Sequence, residues 1–188
     1  MAVWIVLGVV AVLLVYLVMI YNGLVRMRAL VREGFSGITV QLRRRADLVP
    51  NLVATVQGYA THERDVLDQV TAHRADAINA QGVDATAKAD AQMTGLLGKV
   101  IAVAEAYPDL KASANFQQLQ TELAEIEDEL SSSRRYYNAT VRDLNTGIQS
   151  FPNVLIAGPM GFKEEPFYAD DLPSISVAPK VSFGSAGA

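Results

Sequence analysis

Hydrophobic and polar positions divide the chain into three regimes. From Ala2 to Tyr21 it reads AVWIVLGVVAVLLVYLVMIY, with no charged residue. Twenty such residues in a helix cover about 30 Å, the thickness of a hydrocarbon core. A charge at mid-bilayer costs roughly 3 kcal/mol, so the absence of any is informative. Trp4 and Tyr21 fall near the two ends, where interfacial aromatics belong. Residues 1–21 are therefore expected to form a transmembrane anchor. A cleaved signal sequence fits less well, because Met1-Ala2-Val3 carries no side-chain charge and no small-x-small site follows the run.

The second regime alternates steps of three and four. Its first stripe runs Val31, Phe35, Ile38, Leu42, Val49, Leu52, Val56, Tyr59, Val66, Val70 and Ala77, with polar residues at two steps, Arg45 and Glu63. Such a seam needs a partner helix. Gly34 and Gly37 weaken it, and Pro50 is expected to kink or end it, so residues 22–80 form either one bent helix or two. Gly82 is a helix stop and Asp84 a candidate N-cap. A second stripe follows (Met93, Leu97, Val100, Ala104, Tyr107), then Pro108 at the start of a new helix. The third stripe is the cleanest: Phe116, Leu119, Leu123, Ile126, Leu130, Tyr137, Val141, Leu144, Ile148. No useful period-two stretch exists, so the fold class is all-α. The expected architecture is an anchor continuing into an elongated antiparallel up-and-down bundle of three to four long helices, residues 22–151. From Pro152 the periodicity collapses among prolines and glycines, and 152–188 reads as an irregular segment with a flexible tail over 173–188. Within it Val154–Phe162 (VLIAGPMGF) is apolar, placed to pack across the bundle end or to touch membrane or a partner.

Charge sets the topology. Arg26, Arg28 and Arg32 follow the span, with Glu33 the one acid nearby. The positive-inside rule puts the N-terminus outside and the bulk of the chain in the cytoplasm, with these arginines against lipid headgroups. The expected location is a bacterial inner or internal membrane. Over the 188 residues, 16 Lys+Arg against 20 Asp+Glu give a net charge of −4, which argues against a nucleic-acid partner. There is no cysteine, so disulfides, thiolate metal sites and cysteine nucleophiles are excluded.

Little catalytic chemistry is visible. His62-Glu63 and His73 do not make H-E-x-x-H, since eleven residues separate the histidines, and no Glu-x-x-His pair occurs. No cofactor is expected. Ser131 to Ser133 has no visible base. Two readings of Arg43-Arg44-Arg45 stand: a solvated face with packed stems, or one side of a salt-bridge network with Glu122, Glu125 and Glu129, within or between subunits. The neighbouring Glu127 and Asp128 belong to the same acidic stretch. Asn51, Tyr59, Asn115, Tyr137 and Asn138 lie on or beside the stripes, where such residues most often satisfy a core hydrogen bond.

Taken in order, several segments resemble the LemA family of bacterial membrane proteins. They are Tyr21-Asn22 with Leu24, ITVQLRRR at 38–45, DLVPNLV at 47–53, Gly58-Tyr59-Ala60 with His62-Glu63, YPDLKA at 107–112, Asn115-Phe116, Leu119-Gln120, Arg134, Tyr137-Asn138, Asn145, Phe151-Pro152, Gly161-Phe162-Lys163, and Pro179-Lys180-Val181 with Phe183. Gly34 and Gly37 depart from the better helix formers expected there. The resemblance implies an N-terminal membrane helix, a cytoplasmic helical bundle, no established activity, and kinship with a magnetosome-membrane protein linked to shaping an internal membrane. The functional expectation is a non-enzymatic anchored scaffold. Its expected partners are the lipid bilayer and further copies of itself, or, in an adaptor role, another membrane protein such as a transporter or membrane protease.

Overall fold

The computed structural model describes residues 1–60 and 63–168. His62, the tail over 173–188 and the motif residues Pro179 to Phe183 lie outside them. The described residues form helices without strands: α1 (Ala2–Gln57), α2 (Arg64–Asn79), α3 (Val83–Glu105), α4 (Pro108–Lys111), α5 (Ala114–Gln149) and α6 (Val154–Ala157). The fold is all-α, with four long helices and two short ones among the described residues.

Anchor and bundle share one helix. At 56 residues α1 is about 84 Å long, and its buried seam begins only at Leu24. The most apolar 18-residue stretch before that is not covered by protein at all. From Leu24 onward α1 packs chiefly along α5, which runs the other way: Met27 meets Gly147, Gly34 meets Tyr137, and Gly37 meets Ser133. Arg45 then meets Glu127, so one antiparallel register holds throughout.

The glycines that weaken the helix on propensity have different standing in the packed molecule. A Cβ on Gly34 would sit 3.1 Å from Tyr137 Cα, so Gly34 lets two backbones approach. At Gly37 the nearest atom would be 3.8 Å away, ordinary contact. Gly37→Ala should therefore raise stability by about 0.5–1 kcal/mol through helix propensity. Gly34→Val should lower it by about 1–3 kcal/mol because the helices must separate. Urea midpoints check both.

Pro50 neither ends nor breaks α1; the first long seam is two helices, divided at 58–63 instead. A proline at 50 has no N–H for the Ala46 carbonyl. Arg74 of α2 supplies the donor, its Nε 2.7 Å from Ala46 O. Arg74→Met should leave that carbonyl unpaired and cost about 1–3 kcal/mol, read from the same denaturation curves. The N-cap of α3 is Gly82, at φ +81, rather than Asp84. Asp84 sits in the first turn, where a negative charge suits the helix dipole.

The core is three apolar clusters stacked along the long axis. The distal one joins α1, α2, α3, α4 and α5 through Val49, Leu52, Val70, Val100, Leu110 and Phe116. The central one centres on Ile38, Leu42, Leu130, Tyr137 and Val141, and takes in Tyr168. The third, nearest the span, joins Leu24 to Ala157 and Phe162. The packed core takes in Ala157, Phe162 and Tyr168 from the segment after 151, so Val154–Phe162 packs across the bundle end. In this half only the start of α3, through Val83 and Ala87, and the short α6 reach α1 and α5, and the segment 163–168 adds to the third layer.

Candidate functional site

Arg45 occupies a step of the α1 seam between Leu42 and Val49, and it is fully buried. Its Nη2 donates to Asp90 Oδ1 at 2.5 Å and to the Asp90 carbonyl at 3.3 Å. Its Nη1 donates to Glu127 Oε1 at 2.6 Å and Thr94 Oγ1 at 3.0 Å. Asp90, only 2% exposed, accepts on Oδ2 from Arg134 and from the Tyr168 hydroxyl, the latter at 2.7 Å. Arg134 also lies over the Tyr168 ring, 5.7 Å from its centroid. The cluster holds two cations and two carboxylates, so it is balanced. It forms a polar floor between the distal and central apolar clusters, tying α1, α3 and α5 to the 163–168 strap.

The strap is built from α5. Asn145 pairs with Glu165 through both amide groups: Nδ2 donates to Glu165 O at 3.0 Å and Oδ1 accepts from Glu165 N at 2.9 Å. Asn138 does the same with Tyr168, at 3.2 and 2.8 Å. Between them the Tyr137 hydroxyl donates to Pro166 O at 2.8 Å. Seven helical residues rise about 10.5 Å and three extended residues about 10 Å, so asparagines at 138 and 145 match strap positions 168 and 165. Each asparagine imitates the neighbouring strand that the segment lacks.

Two tyrosines are shifted. Burial, reinforced by the charges of Glu165 and Asp84, pushes the Tyr137 hydroxyl up to about 12. Burial, with the charge and hydrogen bond of Asp90 behind it, holds Tyr168 far above the usual tyrosine range. Both keep their protons when folded after an unfolded tyrosine has lost its own, near pH 10. Their stabilising contribution is therefore complete below pH 10. It falls as pH rises from there, through about 12 for Tyr137. The urea midpoint should drop between pH 9 and pH 11, and Tyr137→Phe should shrink that drop.

The sequence-derived candidates scatter. Of Arg43, Arg44 and Arg45, only Arg45 enters the buried cluster. Arg43 is exposed beside Val40 and Ile78. Arg44 is exposed, donates to Gln41 Oε1 at 3.2 Å, and shares a groove of about 380 Å³ with Glu125, Asp128 and Glu129. Glu122 accepts from Gln118 and borders a different groove beside Asn51 and Asn115. Arg45 pairs with Glu127 and Asp90 rather than with Glu122, Glu125 or Glu129. Helical phase explains this, because Glu127 follows the seam residue Ile126 on the side facing α1 and α3. Arg26 and Arg32 are exposed, and Arg28 stacks 4.8 Å over the Phe162 ring. Tyr59 and Asn51 are exposed, whereas Tyr137 and Asn138 hold the strap. Asp90 was legible only as a polar step before Met93, and Asn145 and Tyr168 carried no periodic signal. Among the described residues no group of three or more His, Asp or Glu is placed to hold a metal ion. Both Asp90 carboxylate oxygens are occupied, so this side chain fastens elements together.

Residues 34–183 match the LemA family. The magnetosome protein MamQ of Magnetospirillum gryphiswaldense is 25% identical over 190 residues, covering 85% of this chain and 70% of that protein. One of the two MamQ proteins of Paramagnetospirillum magneticum is 27% identical over the same shares. Protein LemA of Metamycoplasma hominis is 30% identical over 132 residues, 69% of this chain and 60% of its own length.

Proposed function

This chain belongs to the LemA family, and we propose that it is a non-enzymatic scaffold whose copies assemble side by side on a bacterial inner or internal membrane, with the body in the cytoplasm. Membrane association comes from the uncovered apolar stretch of α1. The observation that carries the scaffold reading is the continuity of α1 from that stretch to Gln57. With no joint between anchor and body, every copy stands at one height and tilt. Confinement to a surface raises the effective concentration of identical faces, so modest lateral contacts suffice for assembly. Similarity to magnetosome proteins is consistent with a role in organising an internal membrane. Arg26, Arg28 and Arg32 beyond the span favour the cytoplasmic side for the body. The buried cluster supports a structural role for the polar core, since both carboxylate oxygens of Asp90 are engaged.

A second reading is an adaptor for another membrane protein. The charged groove of Arg44, Glu125, Asp128 and Glu129 on the solvent side favours it. One experiment separates the two. The chain has no native cysteine, so single cysteines at Arg43 and Glu129 report contacts cleanly. Oxidation in native membranes should give a disulfide-linked dimer for the scaffold. A single stoichiometric foreign partner on mild-detergent purification favours the adaptor. A monodisperse monomer in both detergent and lipid discs overturns self-assembly.

A further inference from the structure

At the membrane-proximal end the chain leaves α5 and makes a compact turn over 150–162. Four large apolar side chains within ten residues are exposed there: Phe151 at 81%, Leu155 at 65%, Val154 at 51% and Met160 at 38%. Elsewhere on the body such residues occur singly along the chain, with Val40 and Ile78 meeting as a pair, and an exposed cluster marks a contact surface. The turn is fixed in place. Ala157 and Phe162 are buried against Leu24, with Ile20, Val25 and Met27 packed around them. Phe162 meets Tyr21 edge-on at 5.7 Å between ring centroids. Ile20 and Tyr21 are the last residues of the apolar run, so the turn lies beside the span's end, not below it. The antiparallel register, with Gly34 opposite Tyr137 and Met27 opposite Gly147, brings the end of α5 at Gln149 level with Val25, just past the apolar run.

We propose that the 151–160 turn is a second membrane contact, dipping into the headgroup and upper acyl region of the leaflet that the anchor leaves. This rests on the reading of α1 as a membrane anchor. The backbone of the turn suits that medium. The N–H groups of Val154, Leu155, Ile156, Ala157, Met160, Gly161 and Phe162 all donate to carbonyls within 150–158. Asn153 Nδ2 donates to Gly147 O at 2.8 Å. These seven N–H groups are thus satisfied inside the turn while apolar side chains are exposed, as a water-poor surface favours. Cations outnumber acids at this end: Arg28 stacks on Phe162, and Arg26, Arg32 and Lys163 are exposed on the adjoining stretches against Glu33 and Glu164, available to anionic headgroups. Two contacts, span and turn, fix the rotation of the body about the α1 axis, which a single helix leaves free. That rotation decides which face meets a neighbour.

The test uses the full chain in vesicles of phosphatidylcholine and phosphatidylglycerol. Single cysteines at Leu155, at Val10 in the span and at Ala102 on exposed α3 carry an environment-sensitive fluorophore, and lipids brominated high on the acyl chain act as quencher. The expected result is strong quenching and a blue shift at Leu155, quenching at Val10 and none at Ala102. A Leu155 signal matching Ala102, with Val10 quenched, overturns the second contact and leaves the anchor standing. No quenching at either Leu155 or Val10 overturns the anchoring, and the second contact with it. In Val154→Ser, a label at Phe151 should lose at least half of its quenching while the thermal midpoint stays put; unchanged quenching there counts against the proposal.

Discussion

Asp90→Asn should lower the unfolding free energy of the body by about 3–5 kcal/mol, a large share of the 5–15 kcal/mol of an ordinary domain. Asparagine keeps the volume and one acceptor oxygen. It removes the charge that Arg45 and Arg134 share at a site 2% exposed. Glu127, 39% exposed on its side chain, then stands alone against two cations, one of them fully buried. Removing one partner of such a cluster is costly because the remaining charge stays desolvated, even where the intact cluster adds little net stability. Asp128→Asn, on an exposed position of α5, should stay within about 0.5 kcal/mol. Urea denaturation reads both. Near-equal small losses would show that the polar floor is wet and not a structural element. A double cycle with Arg45→Met should give a coupling energy of about 1–3 kcal/mol, since the two residues share hydrogen bonds.

Deleting residues 2–19 should move the protein from the membrane pellet to the supernatant without changing its thermal midpoint. The deleted stretch holds twelve Val, Ile and Leu residues. At about 0.3–0.6 kcal/mol each, they are worth roughly 4–7 kcal/mol of insertion, three to five decades in partition. None of the deleted side chains is buried by the body, and Ile20, Tyr21 and Leu24 remain to pack on Phe162. Alkaline carbonate washing is the suitable readout, because it strips surface contacts such as the 151–160 turn while leaving a spanning helix in place. A truncated chain that still pellets there, or one that melts much earlier, would contradict a free-standing anchor.

The apolar N-terminal run, the all-α class and the three seams followed from sequence alone, because each is a pattern along one strand of text: twenty uncharged residues, or apolar steps of three and four. Arg45 already stood out as a polar step on the first seam, yet burial and solvation looked alike until α3 was packed against it. Its partners Asp90, Thr94 and Glu127 lie 45, 49 and 82 positions away, and no local spacing links them. Tertiary structure also reversed local preferences. Gly34 weakens an isolated helix but lets α1 and α5 touch, and Pro50 is tolerated because Arg74 donates to the carbonyl it orphans. The strap was least legible. An extended segment without periodicity gains its place from Asn138 and Asn145 two turns apart on another element. Solvent affinity is written residue by residue and survives unfolding. Hydrogen-bond and charge pairing exists only between groups that folding has brought together, and so it was decided by the packed chain.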